Sequence, residues 1–138
     1  MNRKLVLQIE VLLDAFNTVK GENGEATMIL FHGNFTSEYG SGVVLPGGVD
    51  TQVEYKGQKR SLSARYILQG TDKAGKVFNI FVENNGECSG DMPFITTPKV
   101  LTDCKDLAFL EKALLQGEVH SAGEGKVLIK IFICNNGD

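Results

Sequence analysis

Residues 40–83 read GSGVVLPGGVDTQVEYKGQKRSLSARYILQGTDKAGKVFNIFVE, and their glycines punctuate three apolar-alternating runs. Between Tyr55 and Arg60 the segment Lys56-Gly57-Gln58-Lys59 suits a two-residue hairpin, with Gly57 supplying the positive φ such turns need. With Gly57-Gln58 at the centre, Asp50 falls opposite Arg65; with Lys56-Gly57 the two are diagonal neighbours. Either choice puts Asp50, Gln52 and Glu54 on one face with Ser61, Ser63 and Arg65. Val49, Thr51, Val53 and Tyr55 then share the other face with Leu62, Ala64 and Tyr66. The second turn, Thr71 to Lys76, fits a three-residue loop with Gly75 left-handed, pairing Leu68 with Ile80, Tyr66 with Val82 and Arg65 with Glu83. The expected result is a row of Asp50, Arg65 and Glu83 across three adjacent strands.

The flanking sequence continues the pattern. Leu5, Leu7, Ile9 and Val11 alternate with Gln8 and Glu10, a half-buried strand. Glu22-Asn23-Gly24 marks a turn before a strand over Thr27–Thr36, inside which Gly33 indicates a bulge or a close backbone approach. Tyr39-Gly40-Ser41-Gly42 and Pro46-Gly47-Gly48 bracket Val43-Val44-Leu45, as at a barrel rim. The meander is expected to close at a turn, Asn84-Asn85-Gly86. After a loop over Cys88–Pro93 comes a strand over Phe94–Leu101, which Pro98 confines to an edge or a bulge. A helix is expected over Lys105–Leu115, capped by Asp103, with Leu107, Leu110 and Leu114 at helical spacing and Gly117 as its terminator. Strands near Glu118–Ser121 and Val127–Cys134 flank the turn at Ala122–Gly125. Many short strands, sharp glycine turns and one helix predict a single all-β domain over residues 1–138. A lipocalin-like up-and-down antiparallel barrel is favoured over a sandwich because closure leaves no free edge.

Composition narrows the function. With 138 residues, 42% hydrophobic and 22% charged, the chain is a globular domain with a substantial core. A net charge of −3 with scattered basic residues argues against nucleic acid and anionic membranes as partners. The N-terminal apolar stretch is interrupted by Gln8 and Glu10, and no cleavage site follows. Cys88, Cys104 and Cys134 lack CxxC spacing and read as free thiols in a reducing compartment, so a cytoplasmic location is expected.

Short motifs add little. Gly40-Ser41-Gly42 lacks the third glycine and the helix of a dinucleotide fingerprint. Gly123-Glu124-Gly125-Lys126 is followed by Val127 where a phosphate-binding loop needs Ser or Thr. His32 and His120 have no ligand partner at metal spacing, so no metal is expected. The acidic neighbours Glu87 and Asp91 are expected to raise the Cys88 pKa. The constellation with chemical content is therefore Asp50, Arg65 and Glu83, joined by Tyr66. An arginine between two carboxylates could orient a ligand carboxylate or carbonyl, and Asp50 or Glu83 is the candidate base. Ile67 and Phe81 in the same face imply that it is covered by a ligand, a subunit or the helix.

Leu45-Pro46-Gly47-Gly48-Val49-Asp50, then Ala64-Arg65-Tyr66, Asn85-Gly86, Phe94-x-Thr96-Thr97-Pro98 and the Leu107–Leu110 segment occur in that order. Together they resemble domain-of-unknown-function family 3237, also called uncharacterised protein family 0311, from about Val11 to the C-terminus. The resemblance implies a small cytoplasmic bacterial β-barrel with no assigned activity. Thr51 stands where that family usually has an aromatic residue, and Phe109-Leu110-Glu111 where it usually has Trp-Leu-Asn, so a different ligand is expected for this member if those positions line a pocket. Three functions follow as expectations. The first is binding of a small, partly apolar, anionic or carbonyl-bearing molecule through Asp50, Arg65, Tyr66 and Glu83. The second is cofactor-independent proton transfer, isomerisation or hydration with Asp50 or Glu83 as base. The third is a structural role in a homo-oligomer.

Overall fold

The structure is a computed structural model that describes residues 2–88 and 90–135. Its strands are β1 (Asn2–Gly21), β2 (Gly24–Thr36), β3 (Ser41–Val44), β4 (Val49–Tyr55), β5 (Ser61–Thr71), β6 (Val77–Glu87), β7 (Phe94–Thr102), β8 (Leu115–Ser121) and β9 (Lys126–Asn135). All pairings are antiparallel, and β9 returns to β1 to close the ring. Both β3 and β4 pair with β2 on one side and β5 on the other, so the two short strands share one position and the ring has eight. This is the expected up-and-down barrel.

Alternation along each strand builds the core. Leu7, Ile9 and Val11 of β1, Leu68 of β5, Ile80 and Val82 of β6 and Ile129 and Ile131 of β9 point inward and are buried. A register shift between Leu5 and Leu7 turns Val6 inward and leaves Leu5 exposed, so the simple alternation fails at that one residue. Edge-to-face contacts of Phe31 with Tyr66 (5.5 Å between centroids) and Phe35 with Phe78 (6.2 Å) fill the wider layers. Pro98 is accommodated because the β7–β8 ladder stops at Thr96 and Gly117, so its missing N–H leaves no partner unpaired there.

The helix differs from expectation. It is a 3₁₀ segment, Lys105–Glu111, whose N-cap is Cys104, and Gly117 lies within β8. Asp103 instead accepts hydrogen bonds from the Asn79 backbone N–H (2.7 Å) and side-chain amide (3.0 Å), tying the segment to β6. Leu107 and Leu110 are fully buried and plug the end of the barrel where β6 begins and β7 ends, whereas Leu114 is exposed.

The two hairpins divide. The β5–β6 turn gives the expected register: Arg65 faces Glu83, Tyr66 faces Val82, and Leu68 faces Ile80. The β4–β5 turn does not. It closes with the Gln58 N–H on the Tyr55 carbonyl (2.9 Å) and Gly57 at φ +80°, but the ladder then pairs Val53 with Ser61. One extra residue between Gln58 and Ser61 therefore shifts the register by an odd step. Val49, not Asp50, lies opposite Arg65, and Asp50 lies opposite Ala64. Every side chain of β4 changes face relative to the expectation.

Candidate functional site

The row of Asp50, Arg65 and Glu83 does not form. Arg65 and Glu83 lie on the outside of the barrel, with Nη2 and Oε2 3.6 Å apart and the Arg65 side chain 65% exposed. Asp50 points inward. Tyr66 is also inward and buried. Of the four expected ligand-binding residues, the fold thus brings Asp50 and Tyr66 into the lumen and leaves Arg65 and Glu83 outside. Glu83, held by Arg65 and by the Asn85 amide (3.1 Å), has no route to a lumenal ligand as a base.

The inward rows define a site around Asp50. Consecutive register partners across β2, β4, β5, β6 and β7 are Ile29, Asp50, Ala64, Asn84 and Pro98. Ala64 is the small residue between the carboxyl and the amide, so the wall is indented there. The next row contains Gln52, Leu62, Gly86, Thr96 and Gly117. Above these rows, towards the end opposite the 3₁₀ segment, opens a cavity of about 310 Å³. Its walls are apolar, with Ile29, Phe31, Val119 and Ile129 among them, and Phe16, Cys88, Met92 and Phe94 also line it. Asp50, Gln52 and Asn84 supply the polar part of its lining.

A hydrogen-bonded chain sets the Asp50 carboxylate. Arg60 Nε donates to Gln52 Oε1 (2.8 Å), and Gln52 Nε2 donates to Asp50 Oδ2 (2.9 Å). The Arg60 guanidinium also sits 3.7 Å from Glu25 and 3.8 Å from Glu54. Among the described residues, Asp50 Oδ1 has no partner, nor have the Tyr66 hydroxyl, either amide atom of Asn84 or Thr96 Oγ1. An unpaired buried polar group costs roughly 1–3 kcal/mol, and native interiors retain few. Four such side chains, those of Asp50, Tyr66, Asn84 and Thr96, face one lumen.

Electrostatics follow the geometry. Burial raises the Asp50 pKa above its ordinary 3.8, opposed by the Gln52 hydrogen bond and the Arg60 charge. Burial, then the Asp50 charge, pushes the Tyr66 phenol up, so it is a neutral donor. The Cys88 thiol is raised as expected, but by burial and then Asp50, with Arg60 opposing, rather than by Glu87 and Asp91. The sign of the pH dependence is fixed by these directions. A carboxyl whose folded pKa is raised contributes stability that is complete below its ordinary value and is lost as pH rises through the folded value. Glu118, lowered chiefly by the Arg3 hydrogen bond, acts in the opposite sense, losing its contribution as pH falls. Urea unfolding across pH 4–7 is therefore expected to show a decline with rising pH that Asp50→Asn removes, leaving the acid-side loss unchanged.

The remaining candidates lie elsewhere. His32 Nδ1 is 2.7 Å from Asp14 Oδ1, and His120 Nε2 is 2.8 Å from Glu118 Oε1. Among the described residues no group of three or more His, Cys, Asp or Glu is arranged to hold a metal ion, and all three cysteines are free. Asn84, Gln52, Arg60 and Thr96 are the site residues that the sequence did not reveal. Asn84 was hidden by Asn84-Asn85-Gly86, which imitates a turn but continues β6 to Glu87. Its signal was the inward series Phe78, Ile80, Val82, of which residue 84 is the next member.

Comparison with known proteins agrees with this architecture. The family described as "Protein of unknown function (DUF3237)" matches residues 2–93. A UPF0311 protein of Clostridium acetobutylicum is 27% identical over 137 residues, covering 97% of this chain and 84% of the relative. Among solved structures, a protein of unknown function from Clostridium acetobutylicum aligns with TM-score 0.83 at 24% identity, over 98% of this chain and 100% of the other. A conserved protein of unknown function from Rhodopseudomonas palustris aligns at 0.77 and 22% identity, with 96% of each chain covered. A protein of Acinetobacter baumannii described as β-barrel-like aligns at 0.69 and 17% identity, again over 96% of each. At these identities the structural likenesses speak for the fold alone. The family match covers more than half of the chain, and the protein belongs to the DUF3237 family.

Proposed function

We propose that the barrel binds a small, mostly apolar molecule in its lumen and recognises a carbonyl or hydroxyl on it through Asp50, Asn84 and Tyr66. The observation that carries this reading is an apolar cavity whose few polar lining residues include Asp50 and Asn84, both with unpaired side-chain atoms. A volume near 310 Å³ accommodates one such molecule or roughly ten waters at ~30 Å³ each. With Arg65 outside and Arg60 engaged by Gln52, the lumen offers no free cation among the described residues. An uncharged carbonyl-bearing ligand is therefore preferred over an anion. The test uses N-phenyl-1-naphthylamine, a neutral apolar fluorophore. Its emission should rise on mixing with the protein, and a medium-chain ketone should displace it. Val119→Phe, which narrows the cavity, should weaken the probe by about tenfold or more, equal to ~1.4 kcal/mol. Arg65→Ala should leave it unchanged; loss in Arg65→Ala with retention in Val119→Phe would reverse the assignment.

A second reading is favoured by one observation, the raised pKa of Asp50 beside the neutral Tyr66 phenol. A carboxyl of this kind suits abstraction of a proton next to a carbonyl, with the phenol donating to the forming enolate. Protein-dependent deuterium exchange at the α-carbon of a cyclic ketone, absent in Asp50→Asn, is the expected signature. No exchange above buffer would remove this reading and leave binding intact.

A further inference from the structure

The outer face of β5 and β6 carries a self-complementary pattern. Arg65 is the register partner of Glu83, and Ile67 of Phe81. One strand outward on each side, Leu45 donates its N–H to the Ile67 carbonyl (2.8 Å), and Leu101 is the register partner of Phe81. Leu45, just past the end of β3, and Ile67, Phe81 and Leu101 of β5, β6 and β7 thus form one apolar row. Ile67 is 42% exposed and Leu101 60%. Parallel to this row runs Val49, Arg65, Glu83 and Lys99.

We propose that this face is a two-fold interface with a second copy of the chain, the axis running parallel to the strands between β5 and β6. Such an axis exchanges β5 with β6 and preserves height along the strands. It lays Ile67 on the second copy's Phe81, Leu45 on its Leu101 and Arg65 on its Glu83, each contact occurring twice. At the centre apolar meets apolar and cation meets anion, the self-complementarity that an isologous dimer requires, while at the margin Val49 lies against the second copy's Lys99. The polar positions on either side also match, Gln69 with Asn79 and Ser63 with Asn85, since each pair already hydrogen-bonds within one chain (3.0 and 2.7 Å). In the single chain Arg65 makes one long contact to Glu83 and is otherwise exposed, so its other guanidinium donors are available to the second carboxylate. A different partner protein would not need this internal symmetry.

Charge exchange tests both the interface and its axis. Sedimentation equilibrium of the wild type, from micromolar to sub-millimolar, should give a concentration-dependent dimer. Arg65→Glu places two carboxylates on two carboxylates, and Glu83→Arg two cations on two cations, so each variant alone should be monomeric. Mixed, the two should form a heterodimer, and the double exchange within one chain should restore the homodimer. Far-UV circular dichroism monitors folding of each variant, and Phe81→Lys provides an independent break that neither mixing nor charge exchange repairs. A monomeric wild type would overturn the proposal. So would a dimer that survives both single exchanges, or single variants that remain monomeric when mixed.

Discussion

Asn84→Leu and Asp50→Leu are each expected to make the protein more stable while weakening its recognition of carbonyl-bearing ligands. Asn84 is 1% exposed and, among the described residues, neither of its amide atoms nor Asp50 Oδ1 has a hydrogen-bond partner. Replacing such a group by an apolar one of similar shape removes a penalty of roughly 1–3 kcal/mol. Leucine also extends the apolar wall formed by Ile29, Phe31 and Ile129. The gain should be read as a higher urea midpoint at unchanged slope. In Asp50→Leu the decline in stability with rising pH should vanish as well. Displacement of the naphthylamine probe by a ketone should weaken about tenfold, whereas binding of the probe itself, which lacks a carbonyl, should persist. Stability gained together with selectivity lost is the mark of a residue retained for binding. A loss of stability in both variants would mean that these groups serve the fold.

Gly33→Ala is expected to cause the largest loss of stability. Gly33 faces Val11 in the β1–β2 ladder, and a Cβ placed on it would collide with the Glu10 carbonyl oxygen. That atom is backbone in a paired strand, so neither a rotamer nor a side chain can yield. The strands must separate or slip, and a slip by one residue would turn Leu7, Ile9 and Val11 outward. A destabilisation above about 4 kcal/mol, the range reserved for backbone clashes and broken cores, should appear as poor soluble yield or a low melting temperature. Gly57→Ala, whose Cβ would meet nothing within 4 Å but whose φ is +80°, should cost less, about 1–2 kcal/mol.

These residues also show what was legible in the sequence. The barrel was, because alternation in β5, β6 and β9 is strong and closure is favoured over a free edge. Gly33 points to a bulge or a close backbone approach because a strand interior has little other use for glycine, and the fold realises the close approach. The β5–β6 register was read correctly because Gly75 admits one loop length. The β4–β5 register was not: Lys56-Gly57-Gln58-Lys59-Arg60 accommodates loops differing by one residue, and the face of Asp50 depends on that parity. Alternation gave no arbitration, since β4 places Val49, Thr51 and Val53 outward and Asp50 and Gln52 inward, the reverse of the usual preference. The polarity that misled the assignment is the feature on which the proposed lumenal site rests. Asn84 was lost for a related reason, because Asn-Asn-Gly is the commonest kind of turn signal and here it lies inside a strand.

The side of the barrel wall that meets the ligand separates a lumenal site from an outer one. Methyl and side-chain amide NMR spectra recorded during a titration with N-phenyl-1-naphthylamine address that question directly. Shifts should appear at Ala64, Ile29, Ile129 and the Asn84 amide, and the Ile67 and Leu101 methyls should not move. Shifts confined to Ile67 and Leu101, with the inward methyls silent, would contradict a lumenal site.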